Sequence, residues 1–264
     1  MSWKTAFTYA KSVAANHGID SAKKEARADD NLPLGGRVGG MLSLQMSPFI
    51  SASVNGSLIT EPKSSDELIV SISSVKLAMS GSLHRYYLCR GDSETEQERF
   101  LQIFTTASRD TAEVLYCTRI VRFSPETQED QDAFTGASGA GLGELYYSLF
   151  KEQLNSVVAN STLEGAFGIA ERLDYFRDVG DSSISYVAPL QGVETRIDDK
   201  TGEHGLTQDV YFMPYTRDLA DGSKEYLIVS TEIVNSQDGD ESRRSIYVDL
   251  MIGIPMDIQR ITVQ

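Results

Sequence analysis

The sequence predicts an α+β protein: two predominantly antiparallel β-rich lobes joined by a helical segment, with an N-terminal amphipathic helix. Three observations carry that expectation. Residues 208–217, 224–234 and 244–254 alternate apolar and polar side chains, separated by Asp221-Gly222 and Asp238-Gly239, dipeptides suited to tight hairpin turns. A second series of short alternating runs fills residues 31–125. Between the two, residues 144–158 and 163–178 carry apolar side chains at three- and four-residue steps, the spacing of a helix face. The division that follows is an N-terminal helix and linker (1–30), a first β-rich lobe (31–125), a glycine-rich hinge with helices (126–183) and a C-terminal antiparallel β lobe (184–264).

In chain order, the sequence predicts a helix over residues 2–17 that Ser2 can cap and Gly18 can end. Trp3, Phe7, Ala10 and Ala14 form its apolar stripe, with Lys4 and Lys11 off it. Residues 1–27 carry five basic and two acidic side chains. Trp3, Lys4, Phe7 and Lys11 are therefore candidates for contact with a partner or an anionic membrane surface, against the plainer reading of a helix packed on its own domain. From Leu32 the texture changes. LPLGGRVGG has the glycines of a phosphate loop, but no Gly-Lys-Ser/Thr follows, so it reads as a tight turn entering a sheet. Strand candidates follow at 48–54, 67–73, 75–81, 84–90, 99–106 and 113–123. The hairpin formed by 84–90 and 99–106 resembles the pair 208–217 and 224–234, with Tyr86, Tyr87 and Leu88 matching Tyr211, Phe212 and Met213. Internal duplication and shared alternation both account for that likeness.

After Pro125 an acidic run leads into GASGAGLG. Its spacing is not GxGxxG, no strand precedes it and Glu126, Glu129, Asp130 and Asp132 would repel phosphate, so it reads as a hinge. In the closing meander Leu227, Val229, Thr231 and Ile233 share one face, as do Ile246, Val248, Leu250 and Ile252. Such a face requires a core partner elsewhere.

Composition narrows the function. The 264 residues carry 24 Lys and Arg against 38 Asp and Glu, a net charge of −14, which excludes an extended nucleic-acid surface. Cys89 and Cys117 sit in apolar runs without metal or redox spacing and read as buried thiols. No secretory signal and no apolar stretch of about 20 residues is present, so a soluble cytoplasmic protein is expected. His17, His84 and His204 lie in separate elements, and the loop 197–204 lacks calcium-site spacing. No hydrolase, metalloprotease, nucleotide or kinase motif occurs. The sequence thus predicts no catalytic residue, no metal and no cofactor. One polar set stands out as a candidate ligand groove: Glu194, Arg196, Tyr215 and Arg217, with Glu225 beside them. Alternate positions share a strand face, so this set lines a groove between lobes or forms cross-strand ion pairs.

LPLGGRVGG, RFLQIF after an acidic loop, VETRI, YFMPYTRDL and KEYLIVST occur in that order, and in this the chain resembles the YjfK family of uncharacterised bacterial proteins. The resemblance covers residues 31–256. It implies a bacterial cytoplasmic protein whose relatives are often encoded beside a PspA-like, membrane-associated coiled-coil protein, and it supplies no active residues. The expected function is a non-catalytic interaction module or adaptor with a protein partner, the alternative being an enzyme or small-ligand binder that uses the polar groove.

Overall fold

A computed structural model describes residues 27–78, 81–89, 97–106, 108, 110–234 and 245–264. In chain order they form a 3-10 turn (Pro33–Gly35), β1 (Met41–Leu44), α1 (Ser47–Val54), β2 (Asp66–Leu68), β3 (Ser71–Leu77), β4 (Ser82–Cys89), β5 (Arg99–Thr105) and β6 (Thr111–Phe123). Then come α2 (Gln128–Thr135), β7 (Tyr146–Phe150), one helical turn (Lys151–Leu154), α3 (Asn160–Phe167), β8 (Arg172–Arg177), β9 (Leu190–Ile197), β10 (Gly205–Asp218), β11 (Lys224–Val234), β12 (Ser245–Pro255) and β13 (Ile261–Val263). The N-terminal helix expected over 2–17, with Trp3, Lys4, Phe7 and Lys11, lies outside the described residues.

The expected lobes do not exist as separate bodies. Strands β3–β6 form one antiparallel meander and β9–β12 another, and the two close on each other through β3–β9 and β6–β12. The result is a closed eight-stranded antiparallel barrel. The protein is therefore mainly β, not two lobes joined by a helical segment. The physical reason is edge satisfaction: each meander alone would leave two long strands with unpaired backbone groups, and closure removes those edges. The hairpins likened in sequence occupy equivalent places, second and third in each meander. The residue match slips, however, because Tyr86 faces Leu101 while Tyr215, not Tyr211, faces Leu227.

Strand alternation then sorts side chains into two cores. One fills the lumen, with Val75, Leu77, Leu83, Phe100, Leu115, Cys117, Val210, Phe212, Ile228 and Met251. The larger one lies outside the barrel wall. Tyr86, Leu101, Tyr116, Leu227, Val229, Leu250 and Ile252 pack there against Leu42, Phe49, Leu149, Leu163 and Phe167 of the covering segments. The apolar face of the closing meander is thus the outer face. Its partners are α1, α3, the β7–β8 hairpin and the small sheet β13-β1-β2.

Three local expectations change with this layer. Residues 48–54 form α1 instead of a strand, with Pro48 in the first helical turn where its missing N–H costs nothing. Within the helix expected at 144–158, Tyr146–Phe150 forms β7 and Lys151–Leu154 alone is helical: Tyr147 and Leu149 turn inward while Tyr146 and Phe150 stay exposed. The helix expected at 163–178 breaks after Phe167, and Arg172–Arg177 pairs as a strand with β7 and β10. The glycine-rich segment is no hinge between lobes either. Gly143, at φ 112°, donates its N–H to the Tyr215 hydroxyl at 3.0 Å, and a Cβ there would lie 2.1 Å from the Val187 carbonyl oxygen. The turns expected at LPLGGRVGG and Asp221-Gly222 are present, the one expected at Asp238-Gly239 lies outside the described residues, and both cysteines are buried.

Candidate functional site

The lumen is divided along its length. Toward the ends of β4, β6, β9 and β11 it is charged, and toward the ends of β3 and β5 it is apolar. The charged chamber encloses about 310 Å³ and is lined by Tyr87, Glu98, Arg122, Arg196, Gln208, Glu232 and Tyr247 among others.

Arg85 on β4 forms the floor. Its Nη1 lies 3.2 Å from Glu194 and 3.7 Å from Glu232, and its Nε donates to Gln102 at 3.3 Å. Glu194, fully buried, also accepts from the Tyr87 hydroxyl at 3.1 Å and from Gln208 at 3.0 Å. Arg122 donates to both Asp249 oxygens at 2.6 and 2.7 Å and to Glu232 at 2.6 Å, while Arg119 reaches Glu98 at 3.2 Å. Three of these guanidiniums lie over rings: Arg122 over Tyr247 at 5.0 Å, Arg196 over Tyr87 at 5.1 Å and Arg85 over Phe100 at 5.4 Å. Arg196 also pairs with Asp198 at 3.0 Å.

A β-bulge produces this density of arginine. Strict alternation along β6 would send Arg119 inward and Arg122 outward. The register shifts between Leu250 and Met251, so that Arg119 faces Met251, Val121 faces Leu250 and Arg122 faces Asp249. Both arginines then enter the lumen. Bulges re-aim side chains in this way beside functional sites.

The acids are tuned apart. Burial raises Glu232 to about 8, reinforced by Asp249 and Glu194 and opposed by Arg122 and Arg85. Burial raises Glu98 to about 7 against the pull of Arg119. Burial also acts on Glu194, but Arg85 and the hydrogen bonds around it outweigh that effect and hold it below the usual carboxylate range. Burial thus favours the protonated forms of Glu98 and Glu232 and reduces the negative charge that faces the four guanidiniums. Among the described residues, Arg85 Nη2 and the hydroxyls of Ser71 and Ser230 are buried without a hydrogen-bond partner. The chamber can hold an oxyanion and exchange protons with it near pH 7.

The sequence-predicted groove is split by the barrel wall. Glu194 and Arg196 project into the lumen. Tyr215 and Arg217 lie on the outer face of β10, where Arg217 donates to Glu225 at 2.7 Å and to the Gly56 carbonyl at 2.6 Å. Glu225, fully buried, also accepts from Tyr175 at 2.7 Å, from the Leu58 N–H at 2.7 Å and from Ser57. That outer set ties the covering layer to the barrel. Sequence reasoning missed Arg85, Arg122, Glu98 and Glu232, although a charged residue inside an otherwise apolar run, as in HRYYLC and STEIV, was a visible signal. A larger cleft of about 510 Å³ outside the barrel, beside Ile59 and Val158, lacks such convergence, and its Arg99 is already paired with Glu67 at 3.1 Å. No group of three or more metal-ligating side chains occurs among the described residues. No helix among them is long and apolar enough to cross a membrane.

The model of a family described as protein of unknown function (DUF2491) matches residues 17–262. This agrees with the resemblance to an uncharacterised family drawn from the sequence motifs. No curated protein and no solved structure matches the chain.

Proposed function

We propose that this chain, which belongs to the DUF2491 family of proteins of unknown function, is a non-catalytic binding protein that holds a small oxyanionic ligand, a carboxylate or phosphate, in the charged end of its barrel. The observation that carries this reading is the cost of the chamber. Each buried ion costs several kcal/mol in desolvation, and apolar side chains of similar volume would fill the space at no such cost. The other end of the same lumen is lined in that apolar way. Stacking over Tyr87 and Tyr247 holds the Arg196 and Arg122 forks in place before a ligand arrives.

Isothermal titration of the full chain with phosphate, sulfate and small mono- and dicarboxylates tests the reading. At least one anion binds, and Arg196→Gln weakens it by roughly tenfold or more, the equivalent of one charge-assisted hydrogen bond. No binding at millimolar anion, or affinity unchanged in the variant, overturns it.

A protein-contact reading has a separate observation in its favour. β7 is an edge strand, and Tyr146 and Phe176 stack on its hairpin at 4.7 Å while 52% and 50% exposed. An exposed edge with an aromatic face suits strand addition by a partner, with the PspA-like coiled-coil protein as the one to try. Phe176→Arg then abolishes capture of that protein and leaves anion titrations unchanged; retained capture removes this surface from consideration.

A further inference from the structure

We infer that the opposite end of the lumen is a second binding site, for a small amphiphilic ammonium whose apolar body enters the barrel and whose cationic head meets Glu113 and Asp178 at the rim. This goes beyond the oxyanion reading, because the two chambers lie at opposite ends of the barrel and have no lining residue in common.

The chamber encloses about 270 Å³ between Leu77, Leu83, Leu115, Phe212 and Ile228, with Phe104, Leu190 and Tyr226 nearer the rim. Protein interiors are otherwise close-packed, and side chains facing unfilled volume forfeit their dispersion contacts. A cavity of about 150 Å³ with walls of this kind already accepts a benzene-sized guest and stays free of water. At the floor, the Gln102 side-chain carbonyl oxygen accepts from Arg85 Nε on the charged side.

The charged groups are confined to the rim. Glu113 and Asp178 line the same volume, and burial against its apolar walls pushes each of them up. Asp178 adds to the shift of Glu113 by repulsion, and the Tyr226 hydroxyl hydrogen-bonds Glu113 and opposes it. The cation that acts on Asp178, Lys224, is already 2.6 Å from Asp218. Two partly desolvated carboxylates beside an apolar cup repel an anionic head, gain little from a neutral one and are relieved by an ammonium. The ligand class follows from that sign.

Isothermal titration of the full chain with n-hexylammonium, n-hexanol and n-hexanoate at pH 7 tests the inference. Hexylammonium binds tightest, by about tenfold over hexanol, and Glu113→Gln with Asp178→Asn, both at the exposed rim, erases that preference while hexanol still binds. The Arg196→Gln variant binds hexylammonium as the unaltered chain does, which keeps this site apart from the oxyanion site. Hexanoate or hexanol matching hexylammonium, no binding of any of the three at millimolar concentration, or hexylammonium affinity unchanged in the double rim variant overturns the inference.

Discussion

The two ends of one lumen use the same eight strands, the same alternation and similar enclosed volumes, yet one is lined by arginines and carboxylates and the other by leucines and aromatic rings. At the apolar end each inward residue lowers the free energy by leaving water. At the charged end each does so only if its partners are in place. The layer of Arg85, Glu194 and Gln102 separates the two regimes, and it is where the comparison breaks most sharply.

Removing Arg85 gives the largest expected effect. Arg85→Met leaves the fully buried Glu194 without its guanidinium partner, and breaking a buried pair from one side costs about 3–5 kcal/mol. Urea denaturation reads it directly. The double replacement Arg85→Met with Glu194→Met extends the apolar regime one layer further and recovers most of that loss. If the double variant is as unstable as the single one, lost packing of the long Arg85 side chain dominates.

The second test uses pH. Glu98 and Glu232 have folded-state values of about 7 and about 8 against an ordinary 4.5. The folded chain thus holds more protons than the unfolded chain between those values, and stability falls as pH rises through that window. Glu113 and Asp178 at the apolar end are more exposed and contribute less. Thermal melts from pH 6 to 9 should show the midpoint dropping, by roughly 3 kcal/mol equivalent for the most displaced group. Glu232→Gln removes its share and flattens the profile. A profile equally steep in that variant would shift the cause to the general negative charge of the chain.

How much of this was legible in the sequence follows from the range of each interaction. The β10–β11–β12 meander was readable because Asp-Gly turns and strict alternation are local signals. The β4–β5 hairpin was readable from alternation on either side of a polar loop. Barrel closure was not, because β6–β12 and β3–β9 join residues more than a hundred positions apart and leave no spacing mark. β7 was misread because Leu145, Tyr146, Leu149 and Phe150 satisfy helical spacing, while pairing with β8 decides the outcome. In the site, alternation correctly put Glu194 beside Arg196 and Tyr215 beside Arg217. It does not say which face of each strand looks inward, so it joined two pairs that the wall separates. Arg122 was hidden by the bulge, which only the partner strand reveals.

The smallest expected effect concerns how the charged end is held ready. Arg122 already has three carboxylate contacts, from Asp249 and Glu232, so the ring of Tyr247 beneath it at 5.0 Å contributes orientation more than charge compensation. A cation over an aromatic face at a partly exposed site is worth about 0.5–1 kcal/mol. Tyr247→Phe keeps the face and should change stability and anion affinity by less than about 0.5 kcal/mol. Tyr247→Leu removes the face and should weaken anion binding by severalfold, with urea stability lowered by under about 1 kcal/mol. If Leu is as harmless as Phe, the ring is only a spacer and the guanidinium is positioned by its carboxylates alone. If Phe is as damaging as Leu, the hydroxyl has a role in the chamber that the stack does not account for.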